Sequence, residues 1–273
     1  MCLAVVALRA HPRYPLVIAA NRDEYHQRPT QPAHWWSEGW LAGRDLEAGG
    51  TWLGIDRAGR WALLTNVREG GRRDPNAPSR GGLVTGLLAA ALPIAQALPA
   101  TVASGARHNG FNLLAGERDH AYWGSNRTAL TRALDSGIHG LSNDLLDTPW
   151  PKVTNTKRAI AAWCAGGDAS LAPLLAILGV REVANDAELP STGVTLAMER
   201  MLSAPFIVSH NYGTRSSTVI AIDYEDRARM IERSFDPQGH ATGDVDVEFA
   251  LSAASAPLPG GESRLPRTDR RTA

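Results

Sequence analysis

Residues 2–9 read CLAVVALR and residues 15–21 read PLVIAAN, separated by the turn-like His11-Pro12-Arg13. Neither run alternates apolar with polar. Both are apolar on either side, the pattern of strands buried on two faces. So short a connection makes them a hairpin. A strand covered on both faces needs a layer above and a layer below. The hairpin therefore predicts a sheet packed against a second sheet, with helices outside.

The rest of the chain supplies those layers. Further strands are expected at 51–56 and 60–67 around a turn at Gly59, then at 110–115, 119–124, 137–142, 206–210, 215–222 and 228–235. Between them lies a helix capped by Ser79 and running through Leu83, Leu87, Leu88 and Leu92. A second helix is expected after Asp147 or Thr148, with Pro149 in its first turn, where a missing N–H costs little. A third covers 170–179. Strands at both ends, helices between and no regular βαβ alternation give an α+β fold built as layers. With no repeat and no long linker, residues 2–253 read as a single domain. The Pro-, Gly- and Arg-rich residues 254–273 read as a disordered tail.

Composition excludes more than it assigns. Hydrophobic residues are 44% of the chain, enough for a substantial core. Lys plus Arg equal Asp plus Glu at 28 each, so no net field recruits nucleic acid or an anionic membrane. Nearly all the cations are Arg, a bias expected of a GC-rich bacterial genome. The N-terminal apolar run is too short for a signal peptide, and no stretch reaches the eighteen or so apolar residues of a membrane span. With only Cys2 and Cys164 there is no disulfide framework, and a cytoplasmic protein with reduced thiols is expected. The eight histidines are scattered without metal-ligand spacing, so no metal is expected. Gly-rich phosphate loops and the Gly-x-Ser-x-Gly elbow are absent.

What remains is a set of polar residues at strand ends. Removal of Met1 leaves Cys2 with a thiol and a free α-amine on one residue. Such an amine has a pKa of about 7.7–8.0 and serves as general base near neutrality. A buried small hydrophobe is the plainer role for Cys2 alone. Asn21-Arg22-Asp23-Glu24 follows the second strand, where a solvated turn is the plainer reading. Extended geometry puts Asn21 and Asp23 on one face and Arg22 on the other. The hairpin could then bring Asp23 beside Cys2. Asn66 and Asn143 each end a strand. Their amides suit an oxyanion, although Asn more often closes a turn. Five of eight tryptophans, Trp35, Trp36, Trp40, Trp52 and Trp61, crowd into 27 residues, where packing is the commoner role and an apolar ligand pocket the sharper one.

Taken together these residues carry a resemblance. Met-Cys at the start, Ala-Asn-Arg-Asp-Glu at 20–24, Gly-Thr-Trp-Leu-Gly at 50–54 and Leu-Thr-Asn-Val-Arg-Glu at 64–69 recur in the NRDE family, related to the transport and Golgi organisation 2 protein. So do Ser-Arg-Gly at 79–81, Gly-Leu-Ser-Asn at 140–143, Thr-Pro-Trp-Pro-Lys at 148–152 and Tyr-Gly-Thr-Arg-Ser-Ser-Thr at 212–218. More distantly the pattern resembles cysteine N-terminal nucleophile hydrolases, such as choloylglycine hydrolase and penicillin V acylase. That resemblance implies a four-layer αββα fold and cleavage of a linear amide or N-acyl small molecule. It implies Cys2 as nucleophile, Asp23 near its amine, and Asn66 and Asn143 as the two asparagines. The arginine those hydrolases carry three residues before the aspartate falls on Ala20 here, and Arg215 is a candidate replacement. Asn21, Arg22, Arg68, Arg215 and Trp52 are expected to bind substrate. The family resemblance also implies the alternative of haem, lipid or acyl-CoA binding and trafficking on the same scaffold, with no cofactor required for hydrolysis.

Overall fold

A computed structural model describes residues 2–70, 74–128 and 130–252, with the side chain of Cys2 outside that description. Residues 254–273, expected as a tail, lie outside the described residues. The hairpin is present as β1 (Cys2–Leu8) and β2 (Leu16–Tyr25). An antiparallel meander follows: β3 (Thr30–Trp35), β4 (Trp40–Asp45), β5 (Leu53–Asp56), β6 (Arg60–Asn66), β7 (Phe111–Glu117), β8 (His120–Ser125) and β9 (Leu130–Ala133). Between β6 and β7 run α1 (Gly81–Leu88) and α2 (Ile94–Ser104). After β10 (Gly137–Leu141) come α3 (Pro151–Gly166), α4 (Ala172–Leu178) and α5 (Leu196–Ser203). Three strands finish the described chain: β11 (Tyr212–Ile222), β12 (Arg227–Phe235) and β13 (Ala241–Ala250).

The six-stranded sheet has the order β10-β1-β2-β11-β12-β13, and the seven-stranded sheet is the β3-to-β9 meander. Three apolar layers hold four structural layers together. Ala4, Val6, Leu16 and Ile18 from one sheet meet Leu41, Leu53, Trp61 and Trp123 from the other. The opposite face of the meander packs on Val84 and Leu87 of α1 and on Leu98 and Val102 of α2. The opposite face of the hairpin sheet packs on Ile160 and Trp163 of α3 and Leu174 of α4. This is the αββα arrangement, and the two-sided burial of β1 and β2 is its direct expression.

The structure departs from the sequence-based expectation at several ends. β2 does not stop at Asn21 but runs to Tyr25: β1 pairs with it as far as Arg22, and β11 alone carries the ladder on through Asp23, Glu24 and Tyr25. The helix at 79 ends at Leu88 and leaves Leu92 exposed. Its cap position is Arg80 and not Ser79, whose Oγ accepts a long 3.4 Å hydrogen bond from Gly81 N, and the turn lies close against Gly50, where a Cβ would be 2.5 Å from the Gly81 carbonyl carbon. α3 starts at Pro151 with Trp150 in the cap position. Asp147 instead turns back, accepting from Gly140 N and Lys157 Nζ. Residues 206–210 form only an isolated bridge, Val208 with Gly213. No helix among the described residues is long and apolar enough to cross a membrane.

Candidate active site

The site begins with the register of the first hairpin. Cys2 pairs with Arg22, Leu3 with Asn21 and Ala4 with Ala20. Directly opposed residues share a face, so the Cys2 position lies in the row of Arg22, on the face that carries Ala4 and Ala20 into the inter-sheet core. Arg22 thus stands on the same face as Ala20, two residues further along. This corrects the expectation that Arg22 points away from the candidate centre; of the two residues expected to face it, Asn21 turns to the helical layer and Asp23 lines the cleft. Arg22 is buried, its guanidinium 4.4 Å from the Trp52 ring centroid and its Nη1 donating to Thr30 Oγ1 at 3.1 Å.

Asp23 lies one residue beyond that pairing, fully enclosed. Thr214 Oγ1 donates to its Oδ1 at 2.7 Å, and Tyr212 Oη donates to its backbone carbonyl at 3.0 Å. Burial pushes its carboxyl above the usual range, opposed by the buried Lys152 ammonium at the start of α3 and, less, by Thr214 and Arg22. Burial thus favours the neutral acid, and an ammonium group placed beside Asp23 would draw it toward the carboxylate.

Asn66 and Asn143 come from different sheets and meet. Asn143, just after β10, donates from Nδ2 to the Asn66 carbonyl at 2.8 Å, and its own carbonyl accepts Arg68 N at 2.7 Å. One buried asparagine therefore ties the end of β6 to the end of β10. Its Oδ1 accepts from Ser142 Oγ at 3.3 Å. The Asn66 side chain is half-buried and faces a cleft of about 480 Å³, where no hydrogen bond among the described residues engages its amide. Arg22, Asp23, Trp52, Asn66 and Tyr212 all line this cleft, together with the N-terminus of α1 at Ser79–Gly81.

The remaining expected residues have other placements. Asn21 points to the helical layer, where Nδ2 donates to Leu178 O and Pro205 O at 2.9 Å each and Oδ1 accepts from Ser217 Oγ at 2.6 Å. Arg68 turns away from the cleft, pairing with buried Glu199 at 2.6 Å above the Trp150 ring. Arg215 is the extra residue of a β-bulge where the β11–β2 register shifts between Thr214 and Ser216. Its Nη1 donates to the carbonyls of Tyr25, His26 and Arg28. Of the crowded tryptophans, Trp36, Trp40 and Trp61 are core, Trp35 packs on Phe249, and Trp52 reaches the cleft. Sequence reasoning did not mark Lys152, Thr214 or Tyr212 as residues around Asp23. Their only signal was membership of the Thr-Pro-Trp-Pro-Lys and Tyr-Gly-Thr-Arg runs.

The described lining offers haem only Tyr25 and Tyr212 as side chains of an axial-ligand type. It holds no histidine and no methionine, the usual axial ligands besides cysteine, and much of it is carboxylate: Glu24, Asp45, Glu47, Glu69 and Asp74. Nor does any group of three or more His, Cys, Asp or Glu among the described residues form a metal cluster.

A penicillin V acylase structure from Agrobacterium tumefaciens aligns over 85% of this chain and 83% of its own, with 12% identity and a TM-score of 0.42. The Transport and Golgi organization protein 2 homolog of Bos taurus is 36% identical, over 81% of this chain and 87% of that protein. The Homo sapiens homolog is 34% identical over the same shares, and the Mus musculus homolog 32% identical over 88% and 94%. The family model for Transport and Golgi organisation 2 matches residues 1–237, and the chain belongs to that family.

Proposed function

We propose that this protein is an N-terminal cysteine hydrolase that cleaves a linear amide in an N-acyl small molecule. The observation that carries the reading is the β1–β2 register, which sets the Cys2 position across from Arg22 at a cleft also lined by Asp23 and the uncommitted Asn66 amide. In this reading Met1 is removed and the α-amine of Cys2 takes the thiol proton. The thiolate attacks the amide carbonyl, and Arg22 stabilises the thiolate in place of the arginine missing at position 20. The Asn66 amide donates to the oxygen as it becomes an oxyanion. The ammonium, held by Asp23, returns its proton to the departing amine and leaves a thioester on Cys2. A water molecule, deprotonated by the same amine, then releases the acid.

The test is intact-mass spectrometry combined with a panel of N-acyl amides, for wild type and Cys2→Ala. The expected result is a mature chain lacking Met1, an acyl adduct on Cys2 and cleavage that Cys2→Ala abolishes. Met1 retained throughout the preparation would sink the mechanism, because an amide nitrogen in place of the amine is no base.

A further inference from the structure

A second, smaller cavity of about 160 Å³ lies behind the Trp52 ring, which lines both it and the cleft. Its walls come from both sheets: Thr30 and Pro32 of β3 on one side, Ser216, Glu232 and Ser234 of β11 and β12 on the other. Two donors there are unmatched. Arg215 Nε and Ser216 Oγ are buried with no hydrogen-bond partner, and Ser216 is 4% exposed. Arg215 is fixed in place, since its Nη1 serves three backbone carbonyls of the β2–β3 turn. Native structures seldom leave buried donors unsatisfied. The bulge that creates this arrangement is the kind of irregularity that re-aims a side chain beside a site.

The cavity is also in line with the candidate centre. The ladder runs Cys2 to Arg22, Arg22 to Ser216 and Ser216 to Ser234, one cross-strand row over four strands. At about 4.8 Å per strand, Ser216 stands about 10 Å from the Cys2 position.

We propose that this cavity is a carboxylate subsite, in which Arg215 Nε–H and Ser216 Oγ–H each donate to the oxygens of an acid group about 10 Å from the scissile amide. The inference rests on the hydrolase reading for the identity of the substrate and not for the binding itself. The cavity has room for such a group, because a water molecule's share of liquid volume is about 30 Å³. Its charge is suitable too. Glu232, the one acid among the described lining residues, already accepts from Ala33 N and Thr218 Oγ1, and its burial favours the neutral carboxyl. Ser216 Oγ acts on Glu232 as a weak hydrogen-bond donor, the least of the influences on that carboxyl, yet no acceptor meets hydrogen-bond geometry with it, so an acid group in the cavity would compete for its proton. Arg22, whose charge reaches both Glu232 and Arg215, and Arg215 itself then leave the surroundings positive, with Glu24 the nearest opposing charge.

The test uses Cys2→Ala protein, which cannot turn over substrate, so binding and hydrolysis fail separately. The Arg215 Nε–H resonance in a nitrogen–proton NMR spectrum, assigned by its loss in Arg215→Lys, is followed during titration with acetate and with the neutral isostere acetamide. Acetate should shift it saturably and acetamide should not, with Ser216→Ala weakening acetate by about tenfold. No saturable shift up to about 100 mM acetate, or an equal response to acetamide, would overturn the subsite. A second arm compares wild-type kcat/KM for an N-acyl substrate ending in a carboxylate with its methyl ester. A preference for the acid, lost in Ser216→Ala, supports the substrate assignment. Equal rates beside saturable acetate binding would overturn it and leave a site for a free anion.

Discussion

The two cysteines of this chain occupy opposite chemical situations. Burial in the α3 layer pushes the Cys164 thiol up to about 11, so it is almost entirely protonated at neutral pH. Cys2 pairs with Arg22, whose guanidinium would favour a thiolate. Iodoacetamide at pH 7 should therefore modify Cys2 many times faster than Cys164, as read by peptide mass spectrometry. Arg22→Ala should slow Cys2 alkylation and leave Cys164 unchanged. Equal rates at the two sites would refute the activation of Cys2. The two asparagines divide in a similar way. Asn66→Ala removes an amide that faces the cleft and engages nothing described, so turnover should fall about 10²–10³-fold with little change in Tm. Asn143→Ala strips a buried donor from the Asn66 carbonyl, so it should cost about 1–3 kcal/mol in urea unfolding as well as activity. At this scale the sequence revealed which residue types gather but not what each side chain holds. Asn21, inside the most recognisable motif, turned out to bond Leu178, Pro205 and Ser217 in the helical layer, and no local pattern encodes partners more than 150 positions away.

Among the elements, β10 matters because it pairs with β1 and delivers Asn143. It is clasped by His139. Nδ1 lies 3.1 Å from Asp147 Oδ2 and Nε2 lies 2.9 Å from the Asp135 carbonyl. Two acceptors flank one ring, so only the imidazolium satisfies both. The hydrogen bond that His139 donates to Asp147 raises its pKa above 6.5, with burial and the Lys157 charge opposing. Burial opposes ionisation of Asp147, but hydrogen bonds from His139, Lys157 and Gly140 N hold it well below the usual carboxylate range. The signs are opposite. The His139 contribution is complete below about pH 6.5 and is lost as pH rises through its raised folded value. The Asp147 contribution is present above about pH 4 and is lost only in strong acid. Urea midpoints should thus decline as pH rises above 6.5, and His139→Gln should flatten that slope. An unchanged slope in the variant would place the titration elsewhere. Elements were legible where burial was two-sided, as in β1 and β2, or where Leu recurred at helical spacing, as in α1. The sequence-based expectation passed over β3, β4 and α2, in which Pro32, Gly43 and Pro99 interrupt the pattern yet are accommodated by an edge strand, a neighbouring indole and a helix interior.

For the whole molecule, the family match ends at residue 237, yet β13 at Ala241–Ala250 completes the edge of the hairpin sheet. Its residues alternate strictly. Val245, Val247 and Phe249 pack on the inter-sheet core, while Asp244, Asp246 and Glu248 face outward and pair with Arg233, Arg229 and Arg227. The ion pairs draw attention but contribute little, since each is about 40% exposed or more and such pairs are worth about 0–1 kcal/mol. The apolar face decides. Full burial of a Val or Phe side chain is worth about 1.5–3 kcal/mol, so three half-buried ones give about 3–4 kcal/mol. At about 2–4 °C per kcal/mol for a chain of this size, truncation after Gly239 should lower Tm by about 10 °C. Charge reversal of the ladder by Asp244→Lys, Asp246→Lys and Glu248→Lys together should move it by only a few degrees, because like charges repel weakly where water screens them. The truncation also uncovers β12 as a new edge with its core-facing residues bare, and such edges pair with other chains. Size-exclusion chromatography with light scattering should therefore find the truncated protein at a higher molecular mass than the full chain. A truncated chain with unchanged Tm and unchanged mass would mean that β13 is an ornament on a core already closed at Phe235.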